Sequence, residues 1–157
     1  MKILKRTFLI LVIVVFALLM VSYIGIVITN NSIADKIEKD LAGHQLPTNT
    51  ELVDSISIAG KLTGNGNGMQ YMGAILVDSD LSEMELKEYY SSEFEYVEIR
   101  KQETADIDFI HTGNYSFNNF SETNNGSYYS IACWDDSRRE KFGDFICELL
   151  DFDIRGH

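Results

Sequence analysis

Basic residues are scarce in this chain. Its 157 residues include 13 Lys and Arg against 24 Asp and Glu, which gives a net charge of −11. This balance argues against a nucleic-acid-binding protein, because such proteins neutralise phosphates with clustered Lys and Arg. Aromatic residues are not scarce: 18 Phe, Tyr and Trp residues are more than a solvated, disordered chain carries. The length suits one small folded domain.

Charged residues are absent between Phe8 and Ile28, where only Ser22 and Gly25 interrupt an apolar run. Twenty-one residues form a helix of roughly 32 Å, which matches the ~30 Å hydrocarbon core of a bilayer. A single span must be helical, because every backbone N–H and C=O group in lipid needs a partner within the segment. The run therefore predicts a transmembrane helix over residues 8–28.

The charges that flank this run predict its orientation. Lys2, Lys5 and Arg6 precede it, whereas the next basic residue after it is Lys36. The positive-inside rule then places residues 1–7 in the cytoplasm and the C-terminal domain outside the cell membrane. Residues 29–157 hold 10 basic and all 24 acidic groups, a net charge of −14.

An uncleaved signal anchor is the favoured interpretation of the apolar run. A cleaved signal peptide has a shorter apolar stretch followed by an A-x-A-like site, and this run is longer and lacks such a site. A buried core helix is the remaining alternative. Small residues spaced four apart are missing from its centre, so the sequence gives no support for helix pairing in the bilayer.

A juxtamembrane helix and a linker are predicted over residues 29–50. Asn30-Asn31-Ser32 provides a cap for a new helix over 32–42, and Gly43 is a plausible stop. Ile33, Ile37 and Leu41 recur every four residues and form a narrow apolar stripe, for which packing on the protein's own domain is favoured over a partner or the lipid interface. The only proline lies in the linker HQLPTNT.

Residues 51–157 predict an extracytoplasmic α+β domain. Alternating apolar residues indicate strands, and Asn-Gly pairs between strands indicate hairpins. In the first strand the apolar residues Leu52, Ile56, Ile58 and Leu62 share one parity. Asp80 with Glu83 forms the predicted N-terminal cap of the middle helix. Short connections favour a mostly antiparallel sheet with helices packed on one face. The predicted strands cover 51–62, 69–77, 96–101, 116–120 and 128–134, and the predicted helices cover 81–92 and 137–150.

The glycine-asparagine loop between the first two strands is the candidate ligand or partner loop. It consists of Gly64, Asn65, Gly66, Asn67 and Gly68. It lacks the Gly-Lys-Ser/Thr of a P-loop and the third glycine of a dinucleotide-binding motif, and a strand follows where both motifs need a helix. A turn in which Gly and Asn adopt positive φ is the simpler interpretation.

Acidic pairs offer little support for a metal site. Asp78-x-Asp80-x-Ser82 begins like a calcium loop, but Glu83 stands where that loop needs glycine and Tyr89 where it needs a bidentate Glu. The pairs Asp106/Asp108 and Asp135/Asp136 are expected to be solvated surface rather than a looser cation site. We therefore predict no metal and no cofactor.

Catalytic motifs are also missing. His44, His111 and His157 lack the i, i+4 spacing of a helical zinc site, and the nucleophile motif G-x-S-x-G is absent. A catalytic set that meets only in the fold remains open, but we expect a protein that is not an enzyme.

Two cysteines raise the question of a disulfide. Cys133 has the strand parity of Ile131 and is predicted to face the core, whereas Cys147 falls away from the packing face of the last helix. Two free thiols are favoured over a bridge. The C-terminal FDIRGH is interpreted as a strand-like end with an Arg155–Asp pair, and a recognition tail is the alternative.

The stretch TELVDSISIAGKLTGNGNGMQYMGAILVDSDLSEMELKEYY and the ending FDIRGH resemble a family of small, uncharacterised, membrane-anchored proteins of clostridial-type Gram-positive bacteria. The resemblance covers residues from about 46 to 157. It implies a bacterial cell-envelope protein and assigns no functional residue. The predicted function is a single-pass membrane protein that displays an acidic domain for binding a protein or envelope component. The alternatives are an accessory subunit of a membrane complex and, less favoured, a small-ligand-binding or hydrolytic envelope enzyme.

Overall fold

The computed structural model describes residues 2–60, 62–63, 69–111, 113–121 and 126–135. The chain order is helix, two strands, helix, two strands. The predicted last helix, Cys147 and the FDIRGH ending lie outside the described residues. The elements are α1 Lys2–Ala42, β1 Thr50–Gly60, β2 Gln70–Ser79, α2 Glu83–Ser91, β3 Val97–Lys101 and β4 Tyr128–Asp135.

The four strands form one antiparallel sheet in the order β1-β2-β4-β3. Both helices pack on the same face, where Leu41 of α1 and Leu86 and Tyr90 of α2 join Ile75 and Ile131 in one buried cluster. This arrangement confirms the predicted α+β class.

Helix α1 is long and apolar enough, by length and composition, to cross a membrane, and it is the one such helix in the part of the chain that the structure describes. Its residues 8–28, here named the apolar segment, carry nearly all the exposed large apolar side chains. Leu52, Met84 and Tyr96 are the other exposed large apolar side chains among the described residues. A soluble domain rarely exposes a continuous apolar surface of this extent, so this surface requires lipid or another apolar cover.

Helix α1 does not end with the apolar segment. It runs unbroken for 41 residues, so the prediction of a separate helix that starts at a Ser32 cap is wrong. The predicted stop is confirmed, since α1 ends at Ala42 and the Gly43 amide donates to the Lys39 carbonyl at 2.9 Å. The predicted packing of the apolar stripe on the domain is also confirmed, because Ile33, Ile37 and Leu41 join the buried clusters on the helix-covered face.

Gly73 in β2 brings α1 close to the sheet. A Cβ atom at this position would lie 2.6 Å from the Glu38 Cα and 2.7 Å from the Ile37 carbonyl carbon. Both are backbone atoms of α1, and they cannot move without displacing the helix. The absence of a side chain at Gly73 therefore sets the distance between α1 and β2.

The other face of the sheet is covered by the connection between β3 and β4. Ile107, Phe109 and Phe117 of this connection pack on Met72 and Leu76 of β2. The predicted strand over 116–120 is wrong: Ser116 forms an isolated bridge with Asp106, and its neighbours are irregular. The apolar alternation there comes from a loop that buries aromatic side chains on the sheet.

Two further local predictions are wrong. The pairing of β1 with β2 shifts between Leu52 and Asp54, which changes the parity of the strand and leaves Leu52 42% exposed. Helix α2 is capped by Ser82, not Asp80: the Ser82 hydroxyl accepts from the Glu85 amide at 3.3 Å, and Glu85 accepts from the Ser82 amide at 2.8 Å. These reciprocal bonds form a capping box.

Candidate functional site

The junction end of the domain is the end of the sheet nearest the apolar segment. Asn30, two residues after the segment, is 2% exposed and accepts a hydrogen bond from the Tyr71 hydroxyl at 3.0 Å. Tyr71 pairs with Asp135 in β4, and its neighbour Gln70 pairs with Gly60 in β1. The start of β2 and the ends of β1 and β4 therefore all lie where α1 leaves the apolar segment.

A cavity of about 330 Å³ lies at the junction end between α1 and β1. This volume falls within the ~300–1,000 Å³ of small-molecule sites. Strand β1 is an edge strand of the described sheet, so no other strand of that sheet covers the outer side of the cavity. Among the described residues, the lining comprises the polar Asn31, Asp35, Ser57 and Tyr115 and the apolar Ala34, Ile58 and Ala59.

Asp35 and Ser57 connect the two walls of the cavity. The Ser57 hydroxyl donates to Oδ1 of Asp35 at 2.5 Å, so a carboxylate of the helix faces a hydroxyl of the strand. Asp35 takes part in no ion pair among the described residues. The wall therefore presents carboxylate and hydroxyl oxygens, and none of the described lining residues is a cation.

The loop over residues 113–121 limits the cavity along β1. The Asn119 amide donates to Oδ2 of Asp54 at 2.9 Å, and the Asn119 side chain donates to the Val53 carbonyl at 3.4 Å. Tyr115 of the same loop lines the cavity. The open stretch of the β1 edge is therefore short.

A second feature is the acidic α2 surface, which covers α2 and its flanks. Residues 80–96 contain six acids and one base, Lys87, and all six acids are exposed. Two of the exposed large apolar side chains, Met84 and Tyr96, lie in the same stretch. The six exposed acids of the acidic α2 surface are Asp80, Glu83, Glu85, Glu88, Glu93 and Glu95.

His44 belongs to an aromatic group at the end of α1. Its ring centroid lies 5.3 Å from that of Phe94, 5.8 Å from that of Tyr89 and 6.0 Å from that of Tyr90. The Tyr89 hydroxyl donates to the Gln45 carbonyl at 2.7 Å. The sequence analysis placed His44 in the linker and predicted no contact for it. In the structure, its packing on these rings holds the linker against α2.

Cys133 and Tyr90 are acids buried on the helix-covered face. Cys133 is a free, buried thiol, as predicted from its parity. Burial raises its pKa to about 12. Burial, followed by the neighbouring Tyr89 and Cys133, also raises the pKa of Tyr90 to about 12. The Tyr90 hydroxyl has no hydrogen-bond partner in the part of the chain that the structure describes.

These two pKa shifts predict a loss of stability at alkaline pH. An unfolded chain releases the Cys133 proton from about pH 9.0, whereas the folded protein keeps it to about pH 12. The free energy of unfolding should therefore be unaffected by this group below pH 9.0 and should fall above it by about 1.4 kcal/mol per pH unit. Tyr90 should add a similar slope from pH 10.0.

Urea titration of the full chain in detergent, followed by Trp134 fluorescence over this pH range, measures the slope. Cys133→Ala removes one of the two groups and should make the slope shallower, whatever its effect at neutral pH. Equal slopes for the two proteins would contradict a raised Cys133 pKa.

The predicted loop Gly64–Gly68 lies outside the described residues, but its base is well defined. The Gln70 side-chain oxygen accepts from the Leu62 amide at 2.9 Å and from the Thr63 amide at 2.8 Å, and its amide group donates to the Thr63 hydroxyl at 2.7 Å. Gln70 thus closes the loop at the junction end, near the cavity. The loop itself stays a prediction.

The predicted acidic pairs and histidines lie only partly among the described residues, because Asp136 and His157 are outside them. Asp106 and Asp108 are exposed, as is His111. Within the described residues no three His, Cys, Asp or Glu side chains form a group that could hold a metal ion. The cavity was not found from sequence because Asp35 and Ser57 are 22 residues apart and no motif links them.

Comparison of the chain with family models, with curated proteins and with solved structures gave no match.

Proposed function

We propose that this is a single-pass membrane protein of the bacterial cell envelope. It holds an acidic α+β domain at the outer surface of the cell membrane, where the domain binds a protein or envelope component. The observation that carries the proposal is the continuity of α1 from the apolar segment into the buried core of the domain. A continuous helix fixes the height of the domain above the lipid. Confinement near the membrane raises the effective concentration of the domain for partners there.

The charge distribution supports an outward orientation and a cationic partner. The N-terminal tip carries Lys2, Lys5 and Arg6 and no acid, whereas residues 29–157 carry a net charge of −14. The positive-inside rule favours a cytoplasmic tip. The acidic α2 surface attracts basic partners, and this attraction weakens as salt rises.

Orientation is tested by labelling in intact cells. In a Cys147→Ala background, Met84→Cys places a thiol on α2 at a position that is 77% exposed, while the native Cys133 is buried. A membrane-impermeant maleimide should label Met84→Cys in intact cells and should label Lys5→Cys only after permeabilisation. The reverse pattern would overturn the proposed orientation.

Partner binding is tested by cross-linking on intact cells, followed by purification of the full chain. The variant E88Q/E93Q/E95Q neutralises part of the acidic α2 surface and leaves the capping residue Glu85 in place. The yield of any specific cross-linked product should fall severalfold, and raised salt should have the same effect on the unmodified protein.

The matched control D40N/E51Q/E103Q makes the same change in net charge at exposed acids elsewhere. It should leave the cross-linked product unchanged. Equal losses in both triple variants would show a response to net charge alone, and this result would contradict a role for the acidic α2 surface.

A second candidate function is an accessory subunit of a membrane complex. The continuity of α1 also favours it, because contact with a neighbouring protein in the bilayer would fix the position of the domain through the same helix. Replacement of residues 8–28 with an unrelated apolar helix of equal length separates the two. Retained cross-linking supports simple tethering, whereas its loss supports a subunit that is recognised within the membrane.

A further inference from the structure

We propose that the cavity beside Asp35 binds a primary ammonium group, presented by a phospholipid headgroup at the membrane surface or by a free amine. This inference deepens the proposed function, and its lipid form rests on the proposed anchoring. It identifies one envelope component that the domain would bind.

The lining has the chemistry of an ammonium site. A primary ammonium group has three donors and no acceptor, and the cavity lining includes the Asp35 carboxylate and the Ser57 hydroxyl, whose oxygens can accept from it. Among the described residues no Lys, Arg or His lines the cavity. The Asp35 carboxylate attracts an ammonium group, and a charge-assisted bond to it is stronger than a neutral one.

The cavity lies at the outer boundary of the headgroup layer. Asn31 lies three residues beyond Ile28 and Asp35 lies seven residues beyond it, which places them roughly 4.5 Å and 10 Å past the end of the apolar segment along the helix. The headgroup region adds about 5–7 Å on each side of the hydrocarbon core. The end of the cavity at Asn31 thus lies within the headgroup layer, and Asp35 lies just above this layer.

The size of the cavity and its closure by the 113–121 loop favour a small group over an extended peptide. Strand addition needs a long open edge, but Asn119 binds β1 at Val53 and Asp54. Tyr115 lines the cavity beside Ile58. A volume of about 330 Å³ is large enough for an ammonium group on a short chain.

The test uses the full chain in lipid nanodiscs. One set contains phosphatidylethanolamine and the other contains phosphatidylcholine, whose methylated ammonium has no N–H donor. Backbone NMR signals of Ala34, Asp35 and Ser57 should shift between the two sets. In a third arm, free ethanolamine is titrated into the phosphatidylcholine nanodiscs: saturable shifts of these signals support the ammonium site with a soluble source, and shifts with phosphatidylethanolamine alone support a lipid source.

Asp35→Asn is the deciding variant. Its side-chain carbonyl still accepts from Ser57, so the fold is retained, but loss of the charge should weaken binding by about tenfold or more. Asp40→Asn, an exposed acid on the same helix, is the matched control and should bind like the unmodified protein. An equal response in both variants, or no response to either amine source in the unmodified protein, would overturn the site.

Failure of the full chain to enter nanodiscs would contradict the proposed anchoring instead. A chain that is stably inserted but insensitive to headgroup and ethanolamine contradicts the ammonium site alone.

Discussion

Replacement of Gly73 with alanine should lower the free energy of unfolding by about 3 kcal/mol, near the upper end for overpacking of a core. The added methyl group would meet the backbone of α1 at Ile37 and Glu38, and a rigid helix cannot yield by a rotamer change. The sign is informative, because alanine in a strand interior is otherwise more favourable than glycine by roughly 0.5–1 kcal/mol. Urea titration in detergent, read from Trp134 in β4, measures the change.

Gly25→Ala is the matched control for this experiment. It makes the same chemical change in α1, where an added Cβ has nothing within 4 Å. Its stability should match or slightly exceed that of the unmodified protein. If the two variants are equally stable, α1 does not pack on β2 at the distance described.

Replacement of Ser32 with proline should break the connection between the apolar segment and the domain. Proline at this position removes the amide that bonds to the Ile28 carbonyl and clashes with that carbonyl, at a cost of about 3 kcal/mol in a helix interior. Ser32 is exposed, so the change removes no packing. The domain should then lose its fixed orientation relative to the apolar segment.

Distances between spin labels at Ser22→Cys and Lys87→Cys, in a Cys147→Ala background, report this orientation. The unmodified helix should give a narrow distribution and Ser32→Pro a broad one. Ser32→Ala keeps the backbone hydrogen bond and is expected to stay narrow. Narrow distributions in all three proteins would contradict a rigid junction through α1.

The elements that were predicted correctly are those in which local pattern and tertiary packing agree. The uninterrupted apolar run over 8–28 predicted a helix. The spacing of Ile33, Ile37 and Leu41 predicted which face of the helix packs on the domain. The pairing of β1 with β2 followed from their short connection. For the stripe, the periodicity already indicated the buried face that stabilises the element.

The junction was predicted incorrectly because capping residues are ambiguous inside a long helix. Asn30-Asn31-Ser32 has the composition of a helix start, but Asn30 turns inward to accept from Tyr71 and the helix passes through. The start of α2 has two overlapping cap motifs, Asp80-x-x-Glu83 and Ser82-x-x-Glu85. The sequence alone does not rank them.

Long-range contacts account for the remaining differences. Leu52 is exposed because β1 has a register shift that no local residue signals. The aromatic residues near Phe117 alternate like a strand but cover the sheet as a loop. The cavity depends on the register between α1 and β1, which brings Asp35 to Ser57, and no periodicity within either element determines that register.

The central position of β4 in the sheet also determines the order of assembly. Strand β3 pairs with β4, and β4 is the last of the described strands to be synthesised. Until residues 128–135 emerge, β1 and β2 form only a hairpin and β3 has no neighbouring strand, so the four-stranded sheet cannot close. Helix α1 is made first and can enter the bilayer before then. The domain is therefore expected to complete its folding on an anchor that is already in place, with the end of α1 serving as the surface on which the hairpin first packs.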